Sequence, residues 1–571
     1  VHPEFAAGRD ALLQGRAADA ARAFAAQVDR EPGDFEARYW LASALLLLGE
    51  PDAADQALSD ARTLHALAVA GARGADVARL RADADYAFAI GVQLYGQGQV
   101  AMASVAWGMA IAAGRADAQV FANYALSLQH QGRAEEASGV YRAVADQFDS
   151  PAMRQFLVYA QLFCQDGEAR HFAEARAWAE RYANVPPASP HANPQLSGRK
   201  LRIGYVAPNF AGSQLRQFVT PILEAHDSAS VEVVLYPADA VTEAGWPDWI
   251  EVHPIGQLDD AAAAALIRQD RIDVLNDLWG HTAGSRLGVF ARKPAPVQTA
   301  WINFFQTTGL PQVDYVMSAA CDDPPDLSAQ YVEQLWPLGP VFTPFRPAEG
   351  RLPPAPTPAL ATGQMTFGSF NHAAKLGAEA MDAWAEILRR APDARLWLKY
   401  RYFADPIMQR QTQAEFAARG VAPERIVFAG HTAGEDYFRA FQQVDVMLDC
   451  WPAPGSTTTL EALSNGVPVL AMVGDPPNLG GFYARTILRA AGLPELATTT
   501  PRAFVETALA LAEDPSALDA LRARVRPGFD GGPLCDEAGF ARGLEAAFAQ
   551  MFERWQASWR PPHALSAEKV A

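Results

Sequence analysis

A helical repeat array followed by two parallel α/β domains is the fold class this sequence predicts, and three observations predict it. Glycines recur 34 residues apart, at Gly15 and Gly49 and again at Gly98 and Gly132. A stretch with four prolines and no apolar periodicity follows at 184–199. Beyond it, short apolar runs alternate with helical segments, and that alternation occurs twice over, as in two successive parallel sheets.

The repeat comes first in the chain. Seven positions before the four glycines stand Gly8, Ala42, Gly91 and Ala125; five after stand Ala20, Ala54, Ala103 and Ala137; nine after stand Phe24, Leu58, Trp107 and Tyr141. Small residues let two antiparallel helices approach closely, the larger side chain fills the gap to the next pair, and the glycine turns the chain between helices. This is the pattern of a tetratricopeptide repeat. Alanine-rich helices matching by chance would not keep three offsets in all four copies. The step from Gly49 to Gly98 is 49 residues, so about 15 extra residues near 70–80 interrupt the array. Phe172–Tyr182 closes it as a further amphipathic helix, and the repeat domain is expected over 1–183 with a linker at 184–199. Such stacks present a concave face that binds peptide or protein, so a protein partner is expected for this arm.

Composition agrees with several domains. A chain of 571 residues is too long for one core, and 50% hydrophobic with 20% charged residues describes an ordinary globular protein. The net charge of −18 and the lack of a basic run argue against nucleic acid and anionic membranes as main partners. No apolar stretch reaches the length of a membrane span. Cys164, Cys321, Cys450 and Cys535 are far apart with no C-x-x-C pair, which suggests neither a disulfide framework nor a zinc site and fits a reducing cytoplasm. The chain begins at Val1 rather than Met, so its numbering need not start at a native N-terminus.

From Lys200 the pattern changes to α/β. L-R-I-G-Y-V-A-P at 201–208, V-E-V-V-L-Y at 231–236 and I-D-V-L-N-D-L at 272–278 are buried strands of a first lobe over 200–350. A second series opens at M-T-F-G-S-F (365–370) and continues through A-R-L-W-L-K-Y, R-I-V-F-A-G, V-D-V-M-L-D and P-V-L-A-M-V, forming a lobe over 351–555 with a tail at 556–571. Two such sheets, the second with phosphate-binding features, predict a cleft between lobes. One large doubly wound domain is the plainer alternative.

Those features are two segments. G-S-T-T-T-L-E-A-L at 455–463 follows a strand and opens a helix, so backbone N–H groups and the hydroxyls of Thr457, Thr458 and Thr459 are expected to point at one anion. A helix cap from Ser456 or Thr457 explains one hydroxyl but not three. Glu461 falls one turn later, within reach of a ribose diol. G-S-F-N-H-A-A-K at 368–375 supplies Asn371, His372 and Lys375 to the opposite lip. Only five of the 47 basic residues are lysines, and one placed in a Gly-Ser-rich strand-to-helix loop points to a phosphate ligand. No D-x-D pair ends a strand, and Asp322 and Asp323 in C-D-D-P-P-D fit a loop cap, so neither metal nor other cofactor is expected. As general base, His281 in the W-G-H-T loop is the first candidate and Asp277 the second; a loop histidine that only bonds backbone is the alternative for His281.

Together with D-L-W-G-H-T-A-G-S-R (277–286), K-P-A-P-V-Q (293–298), T-T-G-L-P-Q-V-D-Y (307–315) and A-R-G-L-E-A-A-F-A-Q-M-F-E-R-W (541–555), these segments resemble the O-GlcNAc transferase and SPINDLY group of protein O-glycosyltransferases. The resemblance implies a tetratricopeptide α-solenoid ahead of a two-lobed GT-B glycosyltransferase with two Rossmann-like domains. It also implies an inverting, metal-independent transfer from a nucleotide sugar to Ser or Thr of a protein held by the arm. By that resemblance Lys375 binds the donor phosphate and acts in catalysis, Ser456, Thr457 and Thr458 surround the phosphate, Glu461 takes the ribose, and Tyr437 stacks on the base. Asn371 and Thr308 complete the donor side, and His372 stands where the animal enzymes have glutamine. Two family histidines are missing: Ser213 stands near the place of one and Tyr483 near the other. The nucleotide side is kept while the sugar side has changed, which favours resemblance to the flagellin glycosyltransferases of alphaproteobacteria, with flagellin as acceptor and a CMP-activated nonulosonic acid as donor. A UDP-GlcNAc-dependent transferase is the alternative. A non-catalytic repeat scaffold is a third reading, against which the intact Lys375, Thr457, Thr458 and Glu461 speak.

Overall fold

The computed structural model describes residues 3–558 apart from 15, 32–33, 51, 55, 58–59, 62–78, 81, 187–189, 211–213, 240–244, 304, 320–326 and 476–478. The interruption expected near 70–80, Gly15, Ser213 and the Asp322–Asp323 pair therefore fall wholly or largely outside the described residues. Among those described, no helix is long and apolar enough to cross a membrane.

The array begins with α1 (Pro3–Leu13), α2 (Ala17–Arg30) and α3 (Phe35–Leu47) and resumes with α4 (Ala84–Gly96), α5 (Val100–Ala112), α6 (Ala118–His130), α7 (Ala134–Phe148), α8 (Pro151–Ala160) and α9 (Gly167–Tyr182). Asp83, Asp117 and Ser150 start α4, α6 and α8 by accepting the N–H of the residue three positions on. Gly49, Gly98 and Gly132 turn between helices at φ of +76°, +80° and +80°, where a Cβ would be strained. The small residues are as tightly required. A Cβ on Gly91 would lie 2.4 Å from Trp107 Nε1, and one on Gly8 would lie 2.8 Å from the Phe24 ring. The two sequence offsets thus meet as one contact between paired helices.

The first lobe holds β1 (Leu201–Ala207), β2 (Val231–Pro237), β3 (Ile250–Val252), β4 (Val274–Asp277), β5 (Val297–Ala300), β6 (Tyr315–Ser318) and β7 (Gln334–Pro337). All pairings are parallel, in the order β3-β2-β1-β4-β5-β6-β7. The second lobe repeats the scheme with β8 (Thr366–Ser369), β9 (Arg395–Lys399), β10 (Ile426–Ala429), β11 (Val446–Leu448), β12 (Val469–Met472) and β13 (Ala497–Thr498), in the order β10-β9-β8-β11-β12-β13. Each sheet reverses direction of strand addition at its centre, between β1 and β4 and between β8 and β11. Ligands of doubly wound sheets bind beyond the strand ends at that point. The helices of the second lobe used below are α10 (Pro406–Ala418), α11 (Gly434–Phe441), α12 (Thr457–Ser464) and α13 (Leu479–Ala490), and the last helix is α14 (Glu537–Ser558).

Two expectations need correction. The sequence assigns 541–555 to the second lobe, but α14 crosses back to the first: Phe540 stacks on Trp301 at 5.7 Å, and Glu545 accepts from His226 Nδ1 at 2.7 Å and from the Asp227 N–H at 2.9 Å. The arm is also not one detached domain. Residues of α1–α3 have their own small core around Phe24, whereas α4–α6 and α9 share one continuous apolar core with both lobes. Part of the apolar surface of α4–α6 and α9 is covered by the lobes, which packs arm and lobes into one body.

Candidate active site

At the centre of the second sheet the ends of β8 and β11 put the two sequence segments face to face. Asp449, one residue past β11 and 1% exposed, organises the turn that follows. Its Oδ1 accepts the N–H of Cys450 at 2.8 Å and of Gly455 at 2.6 Å, and receives Asn371 Nδ2 at 3.4 Å. Gly455 is required there, because a Cβ would sit 2.4 Å from Thr459 Oγ1 and 2.8 Å from Asp449 Oδ1. Across the gap, Lys375 Nζ donates to the Pro454 carbonyl at 2.8 Å, and the Thr458 hydroxyl donates to Asn371 Oδ1 at 2.7 Å. Burial lowers the Lys375 pKa, while Asp449 beside it opposes that shift and favours the ammonium.

The N-terminus of α12 opens on the same space. Ser456 stands at its N-cap without making a side-chain cap bond, so the first N–H groups of the helix are not satisfied by that residue. The three threonines divide. Thr457 and Thr458 line the cleft, but Thr459 is 3% exposed and its hydroxyl turns inward to Asp449 Oδ2 at 3.4 Å. Two hydroxyls, not three, are placed for an anion, because the third falls on the buried face of the helix.

The cleft encloses about 800 Å³ and has three walls. The second lobe gives Asn371, His372, Lys375 and Ser456–Thr458; the first gives Phe305, Gln306 and Gln330; the arm gives Tyr159, Phe163, Glu168 and Phe172. The arm's share was not legible in the sequence, since nothing in a helical repeat marks which turn meets a partner lobe. Asp449 was the more accessible omission: an aspartate closing an apolar strand ahead of a Pro-Gly loop is a turn-capping signal.

His372 is not the cationic neighbour that a carboxylated sugar would want. Its ring lies in an aromatic cage of His130 (5.9 Å), Phe163 (5.6 Å) and Tyr400 (5.5 Å), and burial together with Lys375 and His130 drives its pKa well below the ordinary value. Behind it the arm plates the lip that carries His372. His130 stacks on Tyr402 at 4.7 Å, Tyr402 OH donates to Tyr95 OH at 3.0 Å, and a Cβ on Gly132 would lie 3.2 Å from the Ala373 carbonyl.

His281, Asp277 and Thr308 do not line the cleft. His281 is fully buried at the end of β4, bonded through Nε2 to the Thr308 carbonyl at 2.8 Å with its ring edge against Trp178 of α9. Desolvation pushes its pKa down to about 3, so it is a neutral tie between the lobe and the arm. Asp277 accepts the N–H of Gly280 at 2.8 Å and of Trp279 at 3.2 Å, and burial raises its pKa to about 6. It caps the W-G-H-T turn. Thr308 donates its N–H to Glu333 Oε1 at 2.8 Å and is fully buried. All three hold the loop behind the wall, because the arm covers the face on which a substrate was expected.

Tyr437 and Glu461 are close to each other rather than to the cleft wall: the Tyr437 hydroxyl donates to the Glu461 carboxylate, and Lys399 Nζ sits 4.9 Å over the Tyr437 ring. Tyr483 does line the cleft, stacked at 4.5 Å on Phe305. Among the described residues no three His, Cys, Asp or Glu side chains gather as a metal site, and Cys164, Cys450 and Cys535 are free thiols.

The profile of glycosyl transferase family 41 matches residues 184–342 and 357–542. The rice (Oryza sativa subsp. japonica) protein named probable UDP-N-acetylglucosamine–peptide N-acetylglucosaminyltransferase SPINDLY is 34% identical over 400 residues, which are 66% of this chain and 42% of that one. Its counterpart of the same name in Arabidopsis thaliana is 32% identical over 428 residues, 71% of this chain and 46% of that one. The chain thus spans less than half the length of these curated relatives. A solved structure of a mutant O-GlcNAc transferase from Thermobaculum terrenum superposes with a TM-score of 0.75 at 27% identity, covering 97% of this chain and 98% of the other. The tetratricopeptide-plus-GT-B architecture expected from the sequence is therefore the architecture found.

Proposed function

This chain belongs to glycosyl transferase family 41, and from that premise we propose that it transfers a sugar from a nucleotide-sugar donor to a serine or threonine hydroxyl of a protein acceptor. The observation that carries the reading is the meeting of Lys375 and Asn371 with the N-terminus of α12 across one cleft. The acceptor oxygen attacks the anomeric carbon with inversion while the bond from that carbon to the phosphate oxygen breaks, and the electron pair leaves with the nucleotide. Charge then grows on the phosphate. Lys375, the Thr457 and Thr458 groups and the helix N-terminus meet it, so this reading needs no metal ion or cofactor. Tyr437 and Glu461 are assigned to base and ribose, which requires their mutual hydrogen bond to open or share on binding. A UDP-GlcNAc donor is favoured because the relatives' names specify it.

A second reading has one observation in its favour. Tyr483, where the family resemblance leads one to expect histidine, lines the cleft, and a changed side chain there suits a different donor sugar. That reading is transfer of a CMP-activated nonulosonic acid to flagellin; the neutral His372 removes one cation it would use. In either case the arm recruits the acceptor and the reaction belongs in a reducing cytoplasm.

Thermal-shift titration of the full chain with UDP, CMP and GDP tests both. UDP should raise the melting temperature with saturation. A shift with CMP and none with UDP would replace the first reading by the second, and no shift with any of the three would overturn the donor-site assignment.

A further inference from the structure

With His281 and Asp277 behind the wall, the proton acceptor must be found among groups that face the cleft. Few can serve. Lys375 is committed to the leaving phosphate, and His372 sits in its aromatic cage, where burial and the neighbouring Lys375 lower its pKa and weaken it as a base. The Cys164 thiol is raised to about 11 and the Tyr159 and Tyr483 phenols to about 12, so all three keep their protons. The carboxylates among the described lining residues are Asp166 and Glu168, and both come from the arm. Asp166 is solvent-exposed just before α9. Glu168, in the first turn of α9, is mostly buried and is fixed from both lobes: the Leu479 N–H at the start of α13 donates to its Oε1 at 3.2 Å, and the Gln330 side chain donates as well. On the first lobe Tyr331, which feels the Glu168 charge, keeps its proton, and the Glu333 carboxylate that also acts on Tyr331 is occupied by Thr307 and Thr308.

We propose that Glu168 is the general base: its carboxylate takes the proton of the acceptor hydroxyl as that oxygen bonds the anomeric carbon. The proton ends on Glu168 and the electron pair of the broken bond on the nucleotide phosphate, so the arm supplies a catalytic group as well as an acceptor surface. Burial raises the Glu168 pKa, which makes it a stronger base than an exposed glutamate, while the bonds from the Leu479 N–H and the Gln330 side chain oppose that shift and favour the carboxylate. The proposal rests on the transferase reading above.

The test compares the full-length wild type with Glu168→Gln, which keeps an oxygen for the Leu479 N–H. Nucleotide release from UDP-N-acetylglucosamine or a CMP-activated nonulosonic acid, whichever the wild type consumes, is measured with the acceptor protein that supports its turnover, flagellin being one of those tried. The glutamine variant should lose roughly 100-fold or more in kcat, keep the nucleotide-induced thermal shift, and lose the acid limb of the kcat–pH profile. Formate should restore part of the turnover of Glu168→Ala, which a purely structural loss would not allow. Turnover of Glu168→Gln within about threefold of wild type, an unchanged acid limb, or loss of that limb in Asp166→Asn instead, would overturn the assignment while leaving the transferase reading in place. A wild type that binds nucleotide but consumes no nucleotide sugar would overturn the transferase reading itself and this proposal with it.

Discussion

Replacing Asp405 with alanine should loosen the arm from the second lobe by an amount that follows from its hydrogen bonds. Asp405 is fully buried at the start of α10, where Oδ1 accepts the N–H of Ile407 at 2.8 Å and of Met408 at 3.4 Å. Its Oδ2 accepts the N–H of Ala101, at the start of α5 in the arm, at 2.8 Å. One carboxylate therefore caps two helices 304 positions apart. Removing an N-cap costs about 1 kcal/mol, and leaving the buried Ala101 N–H without a partner adds roughly 1–3 kcal/mol. Relief of the buried carboxylate's desolvation, seen in its raised pKa, offsets part of this, so a loss of about 2–3 kcal/mol is expected. Asp405→Asn keeps one acceptor oxygen and should lose about half as much. Urea denaturation gives the stability, and hydrogen exchange at the Ala101 amide gives the location. A loss below about 0.5 kcal/mol with Ala101 still protected would refute the view that this residue clamps arm to lobe.

Lys375→Ala should leave the circular dichroism unchanged and lower kcat by roughly 100-fold or more, since the transferase proposed above has this charge acting on the leaving phosphate; wild-type turnover would dismiss the donor assignment. Deleting residues 3–47, which have their own core, should spare nucleotide binding, whereas deleting 1–150 strips the cover from the lobes and should abolish both solubility and binding; normal nucleotide affinity in the longer deletion would restore the idea of an independent arm. His130 is held at about 4 by burial against 6.5 when free, so its neutral form contributes stability that is full above pH 6.5 and lost as pH falls towards 4. The stability difference between wild type and His130→Gln should shrink over that interval, and a difference independent of pH would contradict the buried neutral ring.

The parts legible in the sequence were those carried by short-range spacing. Gly91 and Trp107 are 16 positions apart and meet because two adjacent helices bring them together; the offsets alone specify the contact. Alternation of apolar runs and helices marked both sheets, and the G-S-T-T-T and N-H-A-A-K segments marked the strand ends where a doubly wound sheet binds ligands. Thr459 shows the limit of such reasoning, since its hydroxyl was assigned from the pattern and its helix face from packing. His281 shows it more sharply. A histidine in a loop after a strand is equally suited to a cleft or a core, and what decided was Trp178, more than 100 positions earlier, closing over it.

The order of elements, the alternation of strands and helices and the two segments that become the lips of the cleft follow from the chain because each is carried by residues a few turns or one strand apart. Where the arm lies against the lobes depends on contacts such as Ala101 with Asp405, Gly132 with Ala373 and Glu168 with Leu479, each formed between residues more than 200 positions apart. Those contacts set which side chains lose water, and loss of water sets their charge: it neutralises His372 and His281 and raises the Glu168 carboxyl at the cleft. Residue type and spacing carry no record of that desolvation, which is why the site's acid–base chemistry was decided by the tertiary structure alone.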